Sequence, residues 1–181
     1  MLELNLRTID TADEIAAPIL KSFKEQYGMV PNFFAALGID GGALSGYLDF
    51  VNSIEAHGQL NERQRELISL AVANYNGCHY CVSGHTFSAK RAGLSLDECE
   101  QAQLGQSTDP YEQALLNLVE QLLEKKGHLE EQDKQDACDA GMTEQLVIQV
   151  AAWTALNTFS NWVNNIVQTK IDFPKVPLAQ R

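Results

Sequence analysis

Residues 66–85 read ELISLAVANYNGCHYCVSGH, and the helical pattern of this stretch decides the fold class. Its apolar residues recur at helical spacing rather than in strict alternation. We therefore predict a helix that begins after Asn61, a residue suited to the N-cap position, and ends at Asn76-Gly77, a sequence typical of a left-handed helix stop. A new helix is predicted from Cys78 to about Arg91.

Helix signals also dominate on both sides of this stretch. Three helices are predicted before it: one capped by Thr11 or Asp13 and ending near Tyr27, one over about 32–38, and one over about 43–56 after a turn at Gly41-Gly42. Capping signals predict three helix starts after it, at Ser95, Asp109-Pro110 and Thr143. A polar, charged segment over 130–139 and a short tail from Phe173-Pro174 complete the chain.

The fold class follows from these helices. Because no segment shows the period-2 alternation of a half-buried strand, the prediction is an all-α helical bundle. A chain of 181 residues suits one domain, so residues 1–181 are predicted to form a single helical domain. The helix before Cys78 and the segment after Thr143 share an apolar-rich run of similar length. That pattern is consistent with an internal helical duplication whose second copy lacks cysteines.

Charge and hydropathy restrict the partners of the chain. Lys and Arg number 13 against 24 Asp and Glu, which gives a net charge of −11. Such a surface repels nucleic-acid phosphates and anionic membranes, so we expect neither nucleic-acid nor membrane binding. Since no signal peptide and no run of 18 apolar residues is recognisable, a cytoplasmic location is expected. In a reducing compartment, a close cysteine pair is more often catalytic, redox-active or metal-binding than a structural disulfide.

The candidate catalytic residues are Cys78, Cys81 and His85. Each residue of a helix turns the chain by about 100°, so these three side chains fall within roughly 60° of one another. Helix residues that are three positions apart in sequence, such as Cys78 and Cys81, lie about 5–6 Å from each other, a separation that a disulfide can bridge. His85 lies one turn from Cys81 and can exchange a proton with it. The start of a helix favours a thiolate, because its unpaired N–H groups and positive dipole end stabilise negative charge.

Glu66 lies about three turns before the helix stop. If its helix packs back against the helix of the cysteines, the carboxylate can accept a proton or orient His85 through a water molecule.

The residues alone leave two other interpretations of the cysteine pair open. A zinc site needs four ligands, commonly with a second close pair, whereas Cys99 and Cys138 are single. We predict that Cys99 and Cys138 are small buried side chains. The second alternative is a structural or vestigial pair without chemistry.

The combined pattern resembles a known family. The interval from Glu66 to Cys78, the Cys-X-X-Cys pair, and the histidine four residues after the second cysteine resemble the active site of AhpD-like alkylhydroperoxidases. These proteins belong to the all-α carboxymuconolactone decarboxylase superfamily. The segment 28–32, GMVPN, is also similar to the N-terminal portion of many relatives, so the resemblance covers about residues 25–95.

The resemblance implies a thiol-dependent peroxidase or thiol–disulfide oxidoreductase without a metal or other cofactor. By this resemblance, Cys81 attacks a hydroperoxide and becomes a sulfenic acid, while Cys78 resolves it as a disulfide and serves as a proton donor. Glu66 and His85 form the proton relay. The resemblance also implies a dithiol or lipoyl-type protein reductant, a peroxiredoxin as a further partner, and a homo-oligomer.

At Tyr80 the chain departs from this pattern, since AhpD itself has a second histidine just before the second cysteine. His79 is not a simple substitute, because a helix directs it about 100° away from Cys78. We expect the departure to affect peroxide reduction more than thiol–disulfide exchange, and we predict that Tyr80 and His79 are packing or rim residues.

Two alternative functions are carried forward. One is a lactone decarboxylase or isomerase of the same superfamily, whose members do not depend on this cysteine pair. The other is a non-enzymatic redox sensor.

Three large aromatic residues of the last helix are predicted to fill the core or a subunit interface: Trp153, Phe159 and Trp162.

Overall fold

The computed structural model describes residues 3–180, and all regular structure within them is helical. These residues form nine α-helices: α1 (Ala16–Tyr27), α2 (Asn32–Leu37), α3 (Gly41–His57), α4 (Glu62–Tyr75), α5 (His79–Arg91), α6 (Leu96–Gln103), α7 (Pro110–Glu124), α8 (Glu131–Asp139) and α9 (Glu144–Val167). The predicted all-α fold class is confirmed.

Helix α4 lies at the centre of the packing. Its residues 67–73 are all buried, and α5, α6, α7 and α9 pack around it. A helix that is apolar on every side must be surrounded by other elements to bury its surface. The larger of two apolar clusters is therefore built on α4, with Leu115 and Val119 of α7 and Val150 of α9 among its fully buried members.

A smaller apolar cluster holds the cysteine pair. Leu20 of α1, Phe33 of α2 and Leu44 of α3 pack there with Cys78 and Cys81. The two sulfurs are thus surrounded by apolar side chains from the first three helices, a segment that the sequence analysis had described only as helical.

The ends of α4 agree with the sequence. The side chain of Asn61 accepts a hydrogen bond from the Gln64 N–H at 2.8 Å, and the Gln64 side chain accepts one from the Asn61 N–H at 3.1 Å, forming a capping box. At the other end, Gly77 has φ of 65°, the left-handed conformation that glycine adopts without a Cβ penalty. This stop turns the chain back, so that α5 packs along α4.

The predicted turn at Gly41-Gly42 is wrong, because α3 begins at Gly41. The Asp40 side chain caps it by accepting a hydrogen bond from the Ala43 N–H at 2.8 Å. Asp13, one of the two predicted caps of α1, accepts hydrogen bonds from Ala16 at 2.7 Å and from Gly41 at 2.9 Å. One carboxylate thereby joins the starts of α1 and α3. It lies so close to Gly41 that a Cβ there would collide with it.

The polar segment after residue 130 is also helical. A capping box between Glu130 and Asp133 begins α8, and Lys125 pairs with Asp133 at 2.7 Å. Its low apolar content hid this helix from the periodicity argument.

The long last helix, α9, ends at Gln168, whose φ of 54° is left-handed, and residues 169–180 continue without regular structure. This C-terminal segment is attached to α5 and α6. The Val176 N–H donates to Ser83 Oγ at 3.1 Å, and the Ala179 N–H donates to Gln103 Oε1 at 2.9 Å.

Helices α4 and α9, the two partners in the predicted duplication, pack against each other but differ in length, with 14 and 24 residues. The duplication stays a prediction.

Over residues 3–180, no helix combines the length and apolar character that crossing a bilayer requires.

Candidate active site

The cysteine pair lies at the start of α5. Cys78 is the N-cap residue, and its Sγ accepts a hydrogen bond from the Cys81 N–H at 3.2 Å. The two residues form a disulfide, with their Cα atoms 5.3 Å apart. Cys78 is therefore just outside the helix rather than on its first turn, and its sulfur takes the place of the oxygen that usually caps a helix.

A cavity of about 200 Å³ opens in front of Cys81. Cys81 and His85 line it, whereas Cys78 is fully buried behind its wall. The remaining wall is largely aromatic, with side chains from α2, α3, α5 and the C-terminal segment: Phe33, Phe34, Tyr47, Tyr80 and Phe173. Of the two sulfurs, the one that faces the cavity is Cys81.

Glu66 and His85 are in direct contact. His85 Nδ1 lies 2.9 Å from Glu66 Oε2, and both side chains are mostly buried, with 26% and 15% of their surfaces exposed. The water bridge considered from the sequence is not needed, because α4 and α5 pack closely enough for a direct hydrogen bond. A carboxylate on Nδ1 fixes the ring orientation and leaves Nε2 to exchange a proton.

The structure thus brings the four predicted site residues, Glu66, Cys78, Cys81 and His85, into one small region. Their catalytic roles stay predictions.

Asn164 of α9 is a site residue that the sequence analysis missed. Its Nδ2 donates to Cys81 Sγ at 3.3 Å and to the Ser160 carbonyl at 3.1 Å. Cys81 and Ser160 both line the cavity. The sequence carried one signal, an apolar helix interrupted by asparagines. A sequence pattern does not show which of those asparagines faces the sulfur.

Tyr80 is held as a wall of the cavity. Its hydroxyl accepts a hydrogen bond from the Phe33 N–H at 3.1 Å. Burial, and then the nearby carboxylate of Asp172, raise the pKa of Tyr80, so this phenol stays protonated. The side chain at the position of the family histidine therefore packs against α2, while His79 beside it is exposed.

Tyr47 is the other phenol in the cavity wall. Burial raises its pKa far above the ordinary value, so its hydroxyl remains a neutral group beside Ser160.

The C-terminal segment supplies the outer wall. Phe173 packs edge-on against Tyr80, with ring centroids 5.7 Å apart, and a Cβ at Gly84 would lie 3.3 Å from its ring. Asp172 accepts a hydrogen bond from the Asn32 N–H at 2.6 Å, which fixes the segment to the start of α2. Gly84, one turn after Cys81 and directly before His85, leaves room for this close approach.

The two remaining cysteines differ from each other. Cys99 is buried as predicted, and burial followed by the charge of Glu98 raises the pKa of its thiol to about 11. The predicted burial of Cys138 is wrong. This residue is exposed, because it lies on the short polar helix α8, which buries only Ala137.

The aromatic residues of α9 also divide. Trp153 is buried and donates from Nε1 to Ser69 Oγ at 3.0 Å, so its placement in the core is confirmed. Phe159 and Trp162 are 39% and 57% exposed, so they are not core residues. Their place in a subunit interface stays a prediction.

Within residues 3–180, no three His, Cys, Asp or Glu side chains are grouped so that they could hold a metal ion. The expectation that the chemistry uses neither a metal nor another cofactor remains a prediction.

Part of the chain is similar to a known protein family. Residues 42–124 match the carboxymuconolactone decarboxylase family. A curated relative from Paracoccus denitrificans, uncharacterized protein 4 in the cox locus, is 32% identical over 56 residues, which make up 31% of this chain. The chain covers 50% of the length of that relative.

Solved structures share the fold over nearly the whole chain. The AhpD-core peroxidase-related protein from Ralstonia eutropha JMP134 has a TM-score of 0.82 at 20% identity, over 93% of this chain and 90% of that one. A peroxidase-related protein from Silicibacter sp. TM1040 has a TM-score of 0.78 at 19% identity, over 93% and 92%. The debrominase Bmp8, in a complex with 2,3,4-tribromopyrrole, has a TM-score of 0.73 at 17% identity, over 95% and 92%.

The matched segment carries Glu66, both cysteines of the pair and His85. In the sequence of this segment and in its fold, the chain is therefore similar to the AhpD-like proteins of the carboxymuconolactone decarboxylase superfamily.

Proposed function

We propose that the protein is a thiol-dependent oxidoreductase that reduces organic hydroperoxides through Cys81 and Cys78. One observation carries the proposal. Cys81 and His85 line the same cavity, and Glu66 holds Nδ1 of His85 at 2.9 Å. A nucleophile, a base and a group that orients the base are the parts that an activated thiol needs. The family match and the peroxidase-related proteins of the same fold agree with it.

The first step oxidises Cys81. Its sulfur attacks the terminal oxygen of the hydroperoxide, an S–O bond forms, and the O–O bond breaks. The thiol proton passes to His85 and from there to the departing alkoxide, which leaves as an alcohol. Cys81 becomes a sulfenic acid, oxidised by two electrons, and the hydroperoxide is reduced by two.

The second step forms the disulfide. The Cys78 sulfur attacks the sulfenic sulfur of Cys81, an S–S bond forms, and the hydroxyl leaves as water with the Cys78 proton. The Cα atoms of the two residues are 5.3 Å apart in the structure, within the range that a disulfide spans.

The third step regenerates the thiols. An external dithiol attacks the disulfide, passes through a mixed disulfide, and leaves oxidised while both protein thiols return. Cys81 faces the cavity and is therefore the sulfur within reach of a slender dithiol such as a lipoyl arm, whereas Cys78 is fully buried. A lipoyl-type protein reductant, with a peroxiredoxin as a further partner, completes the proposed cycle.

The aromatic wall of the cavity favours a second candidate, the reductive removal of a halogen from a small aromatic ring. A debrominase with the same fold binds 2,3,4-tribromopyrrole. The balance uses the same two thiols: the ring exchanges its halogen for hydrogen, a halide and a proton leave, and the Cys78–Cys81 disulfide forms. Halide release from a halogenated pyrrole, measured beside peroxide consumption, separates the two candidates.

Thiol counting by mass spectrometry tests the main proposal. After one equivalent of cumene hydroperoxide, the reduced wild type should contain an internal Cys78–Cys81 disulfide, and Cys78→Ser should contain a sulfenic acid at Cys81. Cys81→Ser should consume no peroxide, and Cys138→Ser, which changes an exposed cysteine on α8, should behave as the wild type.

Peroxide consumption that survives Cys81→Ser would overturn the proposal. A lactone-converting activity retained by the same variant would favour the decarboxylase alternative. A peroxide-dependent change of assembly without turnover would favour the redox sensor.

A further inference from the structure

Within residues 3–180, Asn164 is the only residue of α9 that donates a hydrogen bond to a sulfur atom. Its side chain is 4% exposed, and the distance from Nδ2 to Cys81 Sγ is 3.3 Å. None of the roles proposed so far for Glu66, Cys78 and His85 uses this contact.

The orientation of the Asn164 amide is set by a second acceptor. Nδ2 also donates to the Ser160 carbonyl at 3.1 Å, and a carbonyl oxygen can only accept. Rotating the amide by 180° would bring Oδ1 against that carbonyl, so the N–H groups must remain on this side. One hydrogen of Nδ2 is used by Ser160 and the other is directed at Cys81.

The same amide leaves its oxygen without a partner. Asn164 Oδ1 is buried and has no hydrogen bond. A buried polar group without a partner destabilises a folded protein, so the contribution of Asn164 to folding does not explain an asparagine at this position.

From these contacts we infer that Asn164 stabilises the thiolate form of Cys81 by donating a hydrogen bond to its sulfur. The inference rests on the proposed function, in which Cys81 is the attacking sulfur. A thiolate carries a full negative charge, and hydrogen bonds to charged acceptors are roughly twice as strong as those between neutral groups. The bond to Nδ2 therefore strengthens when Cys81 loses its proton, and it favours the reactive form.

The titratable groups near Cys81 lie on elements other than α9, so the effect of Asn164 on Cys81 can be measured separately from theirs. The titratable side chains that line the cavity or adjoin its residues are Cys78, Tyr80 and His85 around the start of α5, Glu66 on α4, Tyr47 on α3 and Asp172 in the C-terminal segment. Changing Asn164 to leucine, which has a similar shape, leaves all of these groups in place and removes the amide, with its donor to Cys81, its donor to Ser160 and its unpartnered oxygen.

The pH profile of alkylation tests the inference without any peroxide. Reduced protein in a Cys78→Ser background, where serine still suits the N-cap position, is treated with iodoacetamide over about pH 5 to 10, and modification of Cys81 is followed by peptide mass spectrometry. Asn164→Leu should raise the midpoint of the Cys81 profile by about one pH unit, a roughly tenfold loss of thiolate near neutral pH. Its Tm should be unchanged or higher, because the unpartnered oxygen is gone.

Asn157→Leu is the matched control. Asn157 is also a buried asparagine of α9, but its Nδ2 donates to the Trp153 carbonyl at 2.9 Å and it does not line the cavity. The alkylation midpoint of Cys81 should not move in this variant. If circular dichroism shows that Asn164→Leu is unfolded, Asn164→Ala is read by the same criterion.

An alkylation midpoint that is equal in Asn164→Leu and its parent would overturn the inference, whether or not the protein reduces peroxide. A shifted midpoint in a protein that consumes no peroxide would retain the inference and reject the proposed function. The two failures are thus distinguishable.

Discussion

At the scale of single residues, the pair of His85 and Glu66 sets the chemistry of the site. An imidazole beside a thiol can take its proton, but it does so efficiently only in the correct tautomer and orientation. In the proposed mechanism, Glu66 Oε2, 2.9 Å from His85 Nδ1, supplies both constraints and stabilises the imidazolium that forms during proton transfer. We therefore expect the carboxylate to act on Cys81 through His85.

Replacing Glu66 by glutamine should lower kcat for peroxide reduction about 10-fold to 100-fold and leave KM almost unchanged, because glutamine keeps the shape but not the charge. Steady-state peroxide consumption measures both constants. Glu62→Gln, an exposed residue in the first turn of α4, is the control and should keep the wild-type rate. Equal rates for Glu66→Gln and the wild type would remove Glu66 from the proton relay.

Individual site residues were predictable from the sequence to the extent that they are close in the chain. Cys78, Cys81 and His85 were placed together because helix geometry fixes the direction of neighbouring side chains. The contact of Glu66 with His85 needed a correct guess of how α4 and α5 pack. Asn164 is 83 residues away from Cys81, and no local rule connects them.

At the scale of elements, the C-terminal segment shows how an irregular stretch can complete a helical site. Asp172 binds the start of α2, Val176 binds Ser83 of α5, and Phe173 closes the cavity between them. The sequence predicts only a short tail here, because a segment held by hydrogen bonds to distant side chains has no periodic pattern of its own.

Phe173→Ala should open the cavity in front of Cys81. We expect reduced Cys81 to react several-fold faster with a bulky maleimide, with little change in its rate with iodoacetamide, since the small reagent needs no extra space. The expected loss of stability is about 1–3 kcal/mol, below the value for a fully buried phenylalanine. Peptide-resolved alkylation and urea unfolding measure the two effects.

Phe87→Ala is the control for this change. The ring of Phe87 also contacts Phe173, with centroids 5.7 Å apart, but it is 44% exposed and does not line the cavity. In Phe87→Ala, the ratio of the maleimide rate to the iodoacetamide rate at Cys81 should stay at the wild-type value. A ratio that rises equally in both variants would contradict the assignment of Phe173 as the outer wall.

At the scale of the whole molecule, one arginine connects three helices, α4, α6 and α7. Arg63 of α4 pairs with Glu98 of α6 and with Glu112 of α7, each at 2.6 Å. Hydrogen bonding from the Ser95 N–H, and then from Arg63, lowers the pKa of Glu98 to about 2. In the unfolded chain this carboxyl has its ordinary pKa near 4.5.

The lowered pKa of Glu98 predicts a loss of stability in acid. The stabilisation is fully present above about pH 4.5 and is lost as the pH falls towards 2, because in this range the unfolded chain takes up a proton on this carboxyl and the folded protein does not. Glu98→Gln should flatten the pH dependence of the free energy of unfolding in this window, by less than about 1 kcal/mol for so exposed a pair. Urea unfolding at several acidic pH values measures the slope.

Glu100→Gln, an exposed change on the same helix, should leave that slope unaltered. The lowered pKa values of Asp13, caused first by its hydrogen bond from Ala16, and of Asp133, caused first by Lys125, add acid sensitivity that both variants retain. A slope that is the same in Glu98→Gln and the wild type would show that this ion pair does not control acid stability.

The long stretch of chain between the cysteine pair and Phe173 has a consequence for biosynthesis. A ribosome synthesises the cysteine pair about ninety residues before Phe173, and the earlier helices can start to fold in that interval. Until α9 and residues 169–180 have been synthesised, the nascent thiols lack both the aromatic cover and the amide donor that lie beside Cys81 in the folded protein. The surroundings of Cys81 are therefore completed only after Phe173 has left the ribosome.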